Sequence, residues 1–98
     1  MTTTYDYGDQ VRVTCTFTNL AGSAADPTGI TFKWRTPAGT TSSYVYGTDA
    51  ELVKSATGIY YVDLTLNVEG TWYYRFEGTG ALVAADEGHL LVKDSAFY

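Results

Sequence analysis

The chain has 98 residues, of which 45% are hydrophobic and 15% aromatic, and its formal net charge is -5. The length suits one domain with its own core, because domains usually contain about 100 to 150 residues, and the apolar content disfavours a disordered chain. The negative charge argues against a nucleic-acid-binding surface and against a polybasic membrane contact, because both need a basic face.

The first half of the chain predicts three β-strands. Apolar and polar residues alternate over 11–17, VRVTCTF, which is typical of a half-buried strand. A turn at 26–29, DPTG, leads into the alternating segment ITFKWR at 30–35. Pro37 and Gly39 then favour a tight turn, and SSYVYG at 42–47 should return as a short strand.

The second half continues the pattern after a polar passage at 48–54 and a turn at 56–58. Further strands are predicted at 59–66, IYYVDLTL, at 71–77, TWYYRFE, and at 87–93, EGHLLVK. Counting the short ones gives about seven strands with no helical periodicity between them. The expected fold is therefore all-β, a single antiparallel β-sandwich or small barrel.

The domain is expected to cover 1–98, with residues 1–8 as an N-terminal arm and 94–98 as a C-terminal tail. No apolar run approaches the roughly 18 to 20 residues of a membrane-spanning helix. The opening MTTTYDYGD is too polar and acidic for a secretory signal. Cys15 is the only cysteine, so no intramolecular disulfide can form. We therefore expect a soluble, unexported protein assembled in a reducing cytoplasm.

Three positions carry a resemblance to immunoglobulin-like sandwiches. Cys15 lies in the middle of a predicted strand, Trp34 follows in KWR, and GTWYYRF is similar to the Gly-x-Tyr-x-Cys run of a late immunoglobulin strand. The resemblance implies that Cys15 and Trp34 occupy the second-strand cysteine and core tryptophan positions. It also implies that Trp72 takes the tyrosine-corner position and Tyr74 the place of the second cysteine. The missing second cysteine and the tryptophan at the corner depart from antibody-type domains.

The layout also resembles small immunoglobulin-like proteins encoded in bacteriophage structural-gene clusters. The similar stretches are YDYGDQVRVT, DPTGITFKWRTPAG, TGIYYVDLTL and GTWYYRFEGTG. This resemblance implies a virion component without enzymatic activity, such as a capsid decoration, a head-tail connector or a tail accessory protein. Its partners would be capsid, connector or tail subunits, and the protein would be multimeric in the virion, after assembly in the host cytoplasm.

Strand alternation divides the aromatic residues of GTWYYRF between core and surface. The expected inward residues are Trp72, Tyr74 and Phe76, together with Phe17, Phe32 and Trp34. Tyrosine and arginine are enriched at interface hot spots, so the outward residues predict a binding face. That candidate face comprises Lys33, Arg35, Tyr44, Tyr46, Tyr73 and Arg75. The register of Tyr44 and Tyr46 is not fixed by the sequence, and ordinary cross-strand packing is the alternative interpretation.

Aromatic residues near both ends form a second candidate, the terminal arms. They are Tyr5, Tyr7, Phe97 and Tyr98. These residues either dock on a neighbouring subunit or cover the edge of their own sandwich. The sequence leaves both alternatives open.

Catalysis has little support in the sequence. His89, the only histidine, fits an ordinary strand position, and no Ser-His-Asp signature is present. Cys15 is expected to be a buried, inert thiol. The pairs Asp6 with Asp9 and Asp86 with Glu87 lack a regular calcium-loop spacing, so we interpret them as solvated loop charges. The prediction is a protein that is not an enzyme and has no catalytic residues, metal or cofactor.

A carbohydrate- or cell-surface-binding module is the alternative function. Exposed aromatic rings can stack on sugar faces, and Tyr44, Tyr46 and Tyr73 would form the platform. Both tryptophans are assigned to the core, which weighs against this alternative.

Overall fold

The computed structural model describes residues 4–97, and all regular structure within them is β-strand. The strands are β1 (Thr4–Tyr5), β2 (Gln10–Thr16), β3 (Gly29–Arg35), β4 (Thr41–Val45), β5 (Val53–Ala56), β6 (Ile59–Thr65), β7 (Gly70–Thr79) and β8 (Ala84–Val92). The all-β prediction is confirmed. Over these described positions, no helix has the length and apolar character needed to cross a membrane.

The strands form two sheets that enclose one core. The larger sheet has the order β1-β8-β7-β3-β4, and the smaller has the order β2-β6-β5. All neighbours pair antiparallel except β1, which runs parallel to β8. The arrangement is the expected β-sandwich.

The core lies between the sheets and is built from alternate residues of the strands. Its buried apolar members are Val13, Cys15, Phe17, Ile30, Phe32, Leu52, Tyr60, Val62, Leu64, Leu66, Trp72, Phe76, Leu90 and Val92. Trp34 and Tyr74 are partly buried and pack against this cluster. The ring of Phe32 lies at its centre, 4.7 Å from Phe76 and 5.7 Å from Trp34. All six aromatic residues predicted to point inward do so.

Asp26 fixes the connection between β2 and β3 onto the smaller sheet. Its carboxylate accepts hydrogen bonds from the Gly58 backbone N–H at 2.7 Å and the Tyr60 hydroxyl at 2.8 Å, and it pairs with Lys54 Nζ at 2.8 Å. The Lys54 contact and the two hydrogen bonds together lower the pKa of Asp26 to about 2. Burial and the bond to Asp26 raise the pKa of the Tyr60 hydroxyl. One carboxylate therefore joins a loop, a turn and a core residue.

Three features differ from the sequence-based expectation. β5 lies partly in the predicted polar passage. It was not predicted as a strand because three of its four side chains are exposed and give no alternating signal. β8 begins at Ala84, so Asp86 and Glu87 are strand residues opposite Phe76 and Arg75, and their prediction as loop charges is wrong. β1 lies within the predicted N-terminal arm and pairs Thr4 with Leu91.

Candidate interaction face

The outer face of the five-stranded sheet brings four predicted binding residues together. The register of β3 and β7 places Lys33 opposite Arg75 and Arg35 opposite Tyr73. These residues alternate with the buried Phe32, Trp72 and Phe76, so they point away from the core. We call the cluster of Lys33, Arg35, Tyr73 and Arg75 the outer face.

Tyr44 and Tyr46 do not belong to the outer face. Tyr44 lies opposite Phe32 on β3, so it shares the inner side of the sheet, and its ring is 4.6 Å from that of Trp34. The ring of Tyr46 lies 5.3 Å from that of Tyr60. The turn after β3 sets this register, because the Thr36 N–H donates to the Thr40 carbonyl at 2.9 Å. On β4, Thr41 and Ser43 flank the outer face instead.

Ion pairs hold two of the three outer-face cations in place. Glu77 accepts from Lys33 Nζ at 2.9 Å and from Arg75 Nε at 2.8 Å, while Glu87 contacts Arg75 Nη1 at 3.2 Å. Lys33, followed by Arg75, lowers the pKa of the Glu77 carboxyl. Arg35 has no ion-pair partner within residues 4–97. Its guanidinium is available to a carboxylate of a partner.

The outer face differs in charge from the rest of the molecule. It contains three of the six basic residues, and its ion-pair partners are Glu77 and Glu87, so the outer face and these two partners together carry a net charge of +1 in a chain of -5. The remaining surface is therefore strongly acidic. A partner with a negatively charged contact surface is attracted to this face and repelled elsewhere.

Tyr73 is the main exposed aromatic side chain of the outer face. It is 52% exposed, and its ring lies 6.2 Å from that of His89 on β8. An open concavity of about 440 Å³ runs beside it, with Arg35, Thr41 and Glu87 on its border. An exposed tyrosine flanked by arginine is a typical composition for a protein contact site.

The two ends of the chain differ in their contacts. Tyr5 and Tyr7 are partly buried and pack against the core, and the Lys93 N–H donates to the Tyr5 carbonyl at 3.0 Å. The N-terminal aromatics therefore cover their own sandwich, the second of the two alternatives. Phe97 is 89% exposed, and Tyr98 lies outside the described residues.

The side chains considered for catalysis or metal binding are dispersed. Cys15 is buried, and burial raises its pKa to about 12, so the thiol is neutral. His89 is exposed on β8 beside Tyr73. Asp6 pairs with Lys93 at 3.0 Å, while Asp9 accepts from the Asp6 backbone N–H at 3.1 Å. Within the described part of the chain, no three His, Cys, Asp or Glu side chains group as metal ligands.

Two exposed aliphatic residues were not predicted from the sequence. Leu20, in the β2–β3 loop, is 108% exposed, and Val83, in the β7–β8 loop, is 81% exposed. The two loops meet at one end of the sandwich, since Thr28 Oγ1 accepts from the Ala81 N–H at 2.9 Å. The signal in the sequence was two uncharged stretches around these residues, TNLAGSAA at 18–25 and GTGALVAA at 78–85.

No model of a known protein family matches the chain, and neither a curated protein nor a solved structure gives a significant match.

Proposed function

We propose that the chain is a non-enzymatic immunoglobulin-like interaction module that docks on a larger protein assembly through its outer face. The observation that carries the proposal is the exposed Tyr73 beside Arg35, which has no ion-pair partner among the described residues, on a positively charged face of an acidic molecule. Tyrosine supplies contact area at low entropic cost, and arginine supplies directional donors. The affinity of one such site is modest, and repeated copies on a symmetric partner multiply it.

Strand order supports the immunoglobulin-like class. An immunoglobulin sandwich has strands B, E and D in one sheet and strands C, F and G in the other, with strand C′ beside C. The order β2-β6-β5 corresponds to B, E and D, and β4-β3-β7-β8 corresponds to C′, C, F and G. Cys15, Trp34 and Tyr74 lie on the corresponding strands and contribute to the interior.

The start of β7 supports the same class. In immunoglobulin domains a corner tyrosine near the start of strand F bonds the backbone a few residues upstream. Trp72 occupies that place here, two positions before Tyr74, and its indole Nε1–H donates to the Val68 carbonyl at 2.8 Å. The tryptophan thus makes the bond that the tyrosine hydroxyl makes in antibody-type domains.

The assembly proposed as the partner is a bacteriophage particle. This step rests on the resemblance of the sequence layout, and it makes the protein a virion component contacting capsid, connector or tail subunits. Mass spectrometry of purified particles tests it, with the copy number measured against the major shell protein. A copy number in the hundreds indicates a shell decoration, and about six to twelve copies indicate a neck or tail position. Absence from the particles would contradict the assignment.

The outer face is tested separately from the identity of the assembly. Tyr73→Ala and Arg35→Ser should each reduce incorporation into particles at least tenfold, since each removes a central contact. Tyr61→Ala is the matched control, because Tyr61 lies on β6 of the other sheet, opposite Thr14. Equal incorporation of all three variants would show that the outer face does not contact the particle.

A glycan-binding module is the second candidate, favoured by the concavity beside Tyr73 with Arg35 and Glu87 on its border. The inward position of Tyr44 and Tyr46 leaves Tyr73 as the only tyrosine of the predicted stacking platform on this face. Binding on a glycan array that disappears with Tyr73→Ala would favour this candidate over protein docking.

A further inference from the structure

β2 is an open edge of the smaller sheet. Within residues 4–97 it pairs only with β6, in an unbroken register from Gln10 opposite Thr65 to Thr16 opposite Ile59. The Phe17 N–H donates to the Gly58 carbonyl at 2.7 Å, so the odd-numbered residues of this segment direct their backbone groups toward β6. The even-numbered residues direct theirs away from the sheet. These are Gln10, Arg12, Thr14 and Thr16.

β2 has few of the features with which proteins usually protect a strand edge. Common protections are short length, proline, charged side chains, above all lysine, and β-bulges. β4 has five residues, β5 has four with a register shift between Lys54 and Ala56, and β8 is flanked by β1. β2 has seven residues, with neither proline nor lysine. Its one charged side chain, Arg12, is held on the sheet face by Asp63 at 2.9 Å and lies 3.8 Å over the Tyr61 ring.

Space is present beside this edge. A concavity of about 380 Å³ is bordered by Arg12 and Thr14 of β2 and by Glu87 and Gly88 of β8. The larger sheet therefore does not cover the open side of β2 at its centre. An additional strand can approach the outward backbone groups there.

We propose that two copies of the chain pair through β2, antiparallel about a two-fold axis at Val13. In this register Gln10 lies opposite Thr16 of the other copy and Arg12 lies opposite its Thr14. All the outward-directed backbone groups of both strands then form hydrogen bonds, because hydrogen-bonded pairs fall on the even-numbered residues. The two three-stranded sheets become one continuous six-stranded sheet.

The β2 edge itself does not repel a second copy, because its one charged side chain is paired with Asp63. Each copy carries -5, so most surfaces of two copies repel each other. Along β2 the only charge is that of Arg12, which Asp63 neutralises, and the two-fold register places threonine, not arginine, opposite it. The contact uses none of the outer-face residues, so it is independent of the proposed function.

Sedimentation equilibrium of the full chain, from micromolar concentrations to about 1 mM, tests the pairing. The wild type should dimerise within this range. Thr14→Pro removes an outward N–H from each copy and should raise the dimer dissociation constant at least tenfold. Ser43→Pro is the matched control, because the Tyr46 N–H donates to Ile30 O at 3.0 Å and thus directs the Ser43 N–H away from β3. Melting of both variants is measured as a check of folding.

Two outcomes would overturn the proposal. One is a wild-type chain that stays monomeric at about 1 mM, which would leave the edge to an extended segment of another protein. The other is a dimer that Thr14→Pro and Ser43→Pro weaken equally.

A register-specific cross-link keeps the proposal testable if Thr14→Pro does not fold. Gln10→Cys and Thr16→Cys, each purified alone and then mixed, should form a disulfide heterodimer at least tenfold faster than either variant forms a homodimer, since directly opposite side chains lie close enough to bridge. Native Cys15 is buried and does not compete. Thr40→Cys, in the exposed turn before β4, replaces Thr16→Cys in the control mixture. Equal rates in both mixtures would contradict the register.

Discussion

Asp26 shows how one side chain can connect distant parts of this chain. Its partners Lys54, Gly58 and Tyr60 all lie more than 25 residues away in sequence. The Tyr60 hydroxyl and the Gly58 N–H are partly buried, so they depend on the carboxylate as their acceptor. Removing such an acceptor leaves donors without a partner, which costs more than the hydrogen bond itself gains.

Asp26→Asn should lower the melting temperature by roughly 5 to 10 °C at neutral pH. The amide keeps the shape of the side chain, but it removes the negative charge that pairs with Lys54 and that strengthens the bonds from Gly58 and Tyr60. Asp63→Asn is the control, because Asp63 is as exposed as Asp26 but accepts from the exposed Arg12 rather than from partly buried donors, and it should shift melting by less. Thermal unfolding followed by circular dichroism measures both. Equal shifts would show that Asp26 acts only as a surface charge.

The same carboxylate should make stability depend on acid pH. The folded state lowers the pKa of Asp26 to about 2, so ionised Asp26 stabilises the fold above the ordinary aspartate pKa of about 4. This contribution is lost as pH falls from about 4 toward 2. Melting curves between pH 2 and 7 should therefore show a smaller acid-induced decrease for Asp26→Asn than for the wild type. Parallel curves would contradict the assignment.

Gly58 is a residue whose missing side chain matters. Its φ is +73°, and an added Cβ would lie 2.7 Å from the Phe17 carbonyl oxygen and 2.9 Å from the Ala25 nitrogen. Both neighbours are backbone atoms that cannot rotate away. Gly58→Ala should destabilise the fold by about 2 to 4 kcal/mol. Gly47→Ala, with φ of +89° but open space, should cost only about 1 kcal/mol. Chemical denaturation measures the difference.

At the scale of elements, β3 and β7 separate stability from recognition by their two faces. Phe32 on the inner face is fully buried and contacts Phe76 and Trp34. Tyr73 on the outer face is half exposed. Because neighbouring residues of a strand point to opposite sides, the same two strands contribute to the core and to the proposed docking surface.

Substitutions on the inner face should therefore reduce stability, whereas substitutions on the outer face should reduce partner binding. Phe32→Ala should cost about 3 to 5 kcal/mol of stability, since it leaves a cavity at the centre of the core. Tyr73→Ala should change stability by less than about 0.5 kcal/mol while weakening partner binding. Urea unfolding measures the stability of both variants. A large loss of stability for Tyr73→Ala would mean that this ring packs structurally.

At the scale of the whole molecule, the two ends contribute differently. Tyr5 lies in β1 and packs against the core, whereas Phe97 extends into solvent. Removing residues 96–98 should leave the melting temperature of the free protein unchanged, because the described part of this segment buries little. Tyr5→Ala should lower it, since the ring covers the sandwich. A large loss of monomer stability on truncation would show that the C-terminal aromatics pack on their own domain.

The sequence alone determined the fold class and the two sides of the long strands. Alternation in VRVTCTF and GTWYYRF places Cys15 and Trp72 inside and Tyr73 outside, and this periodicity follows from strand geometry. β5 gave no such signal, because it lies at an edge and its side chains are mostly exposed. Local patterns therefore revealed strands with one buried face and missed β5, whose side chains are mostly exposed, and the two-residue β1.

Tertiary structure decided which strands are neighbours and in what register. The inward position of Tyr44 depends on the turn between β3 and β4, and a shift by one residue would have placed it on the outer face. The Asp26 contacts and the open edge of β2 arise from pairings between segments far apart in the chain. The residue types and their spacing reveal the periodicity of a single strand. Which strands pair depends on the packing of the complete core, and a short stretch of sequence holds no information about that packing.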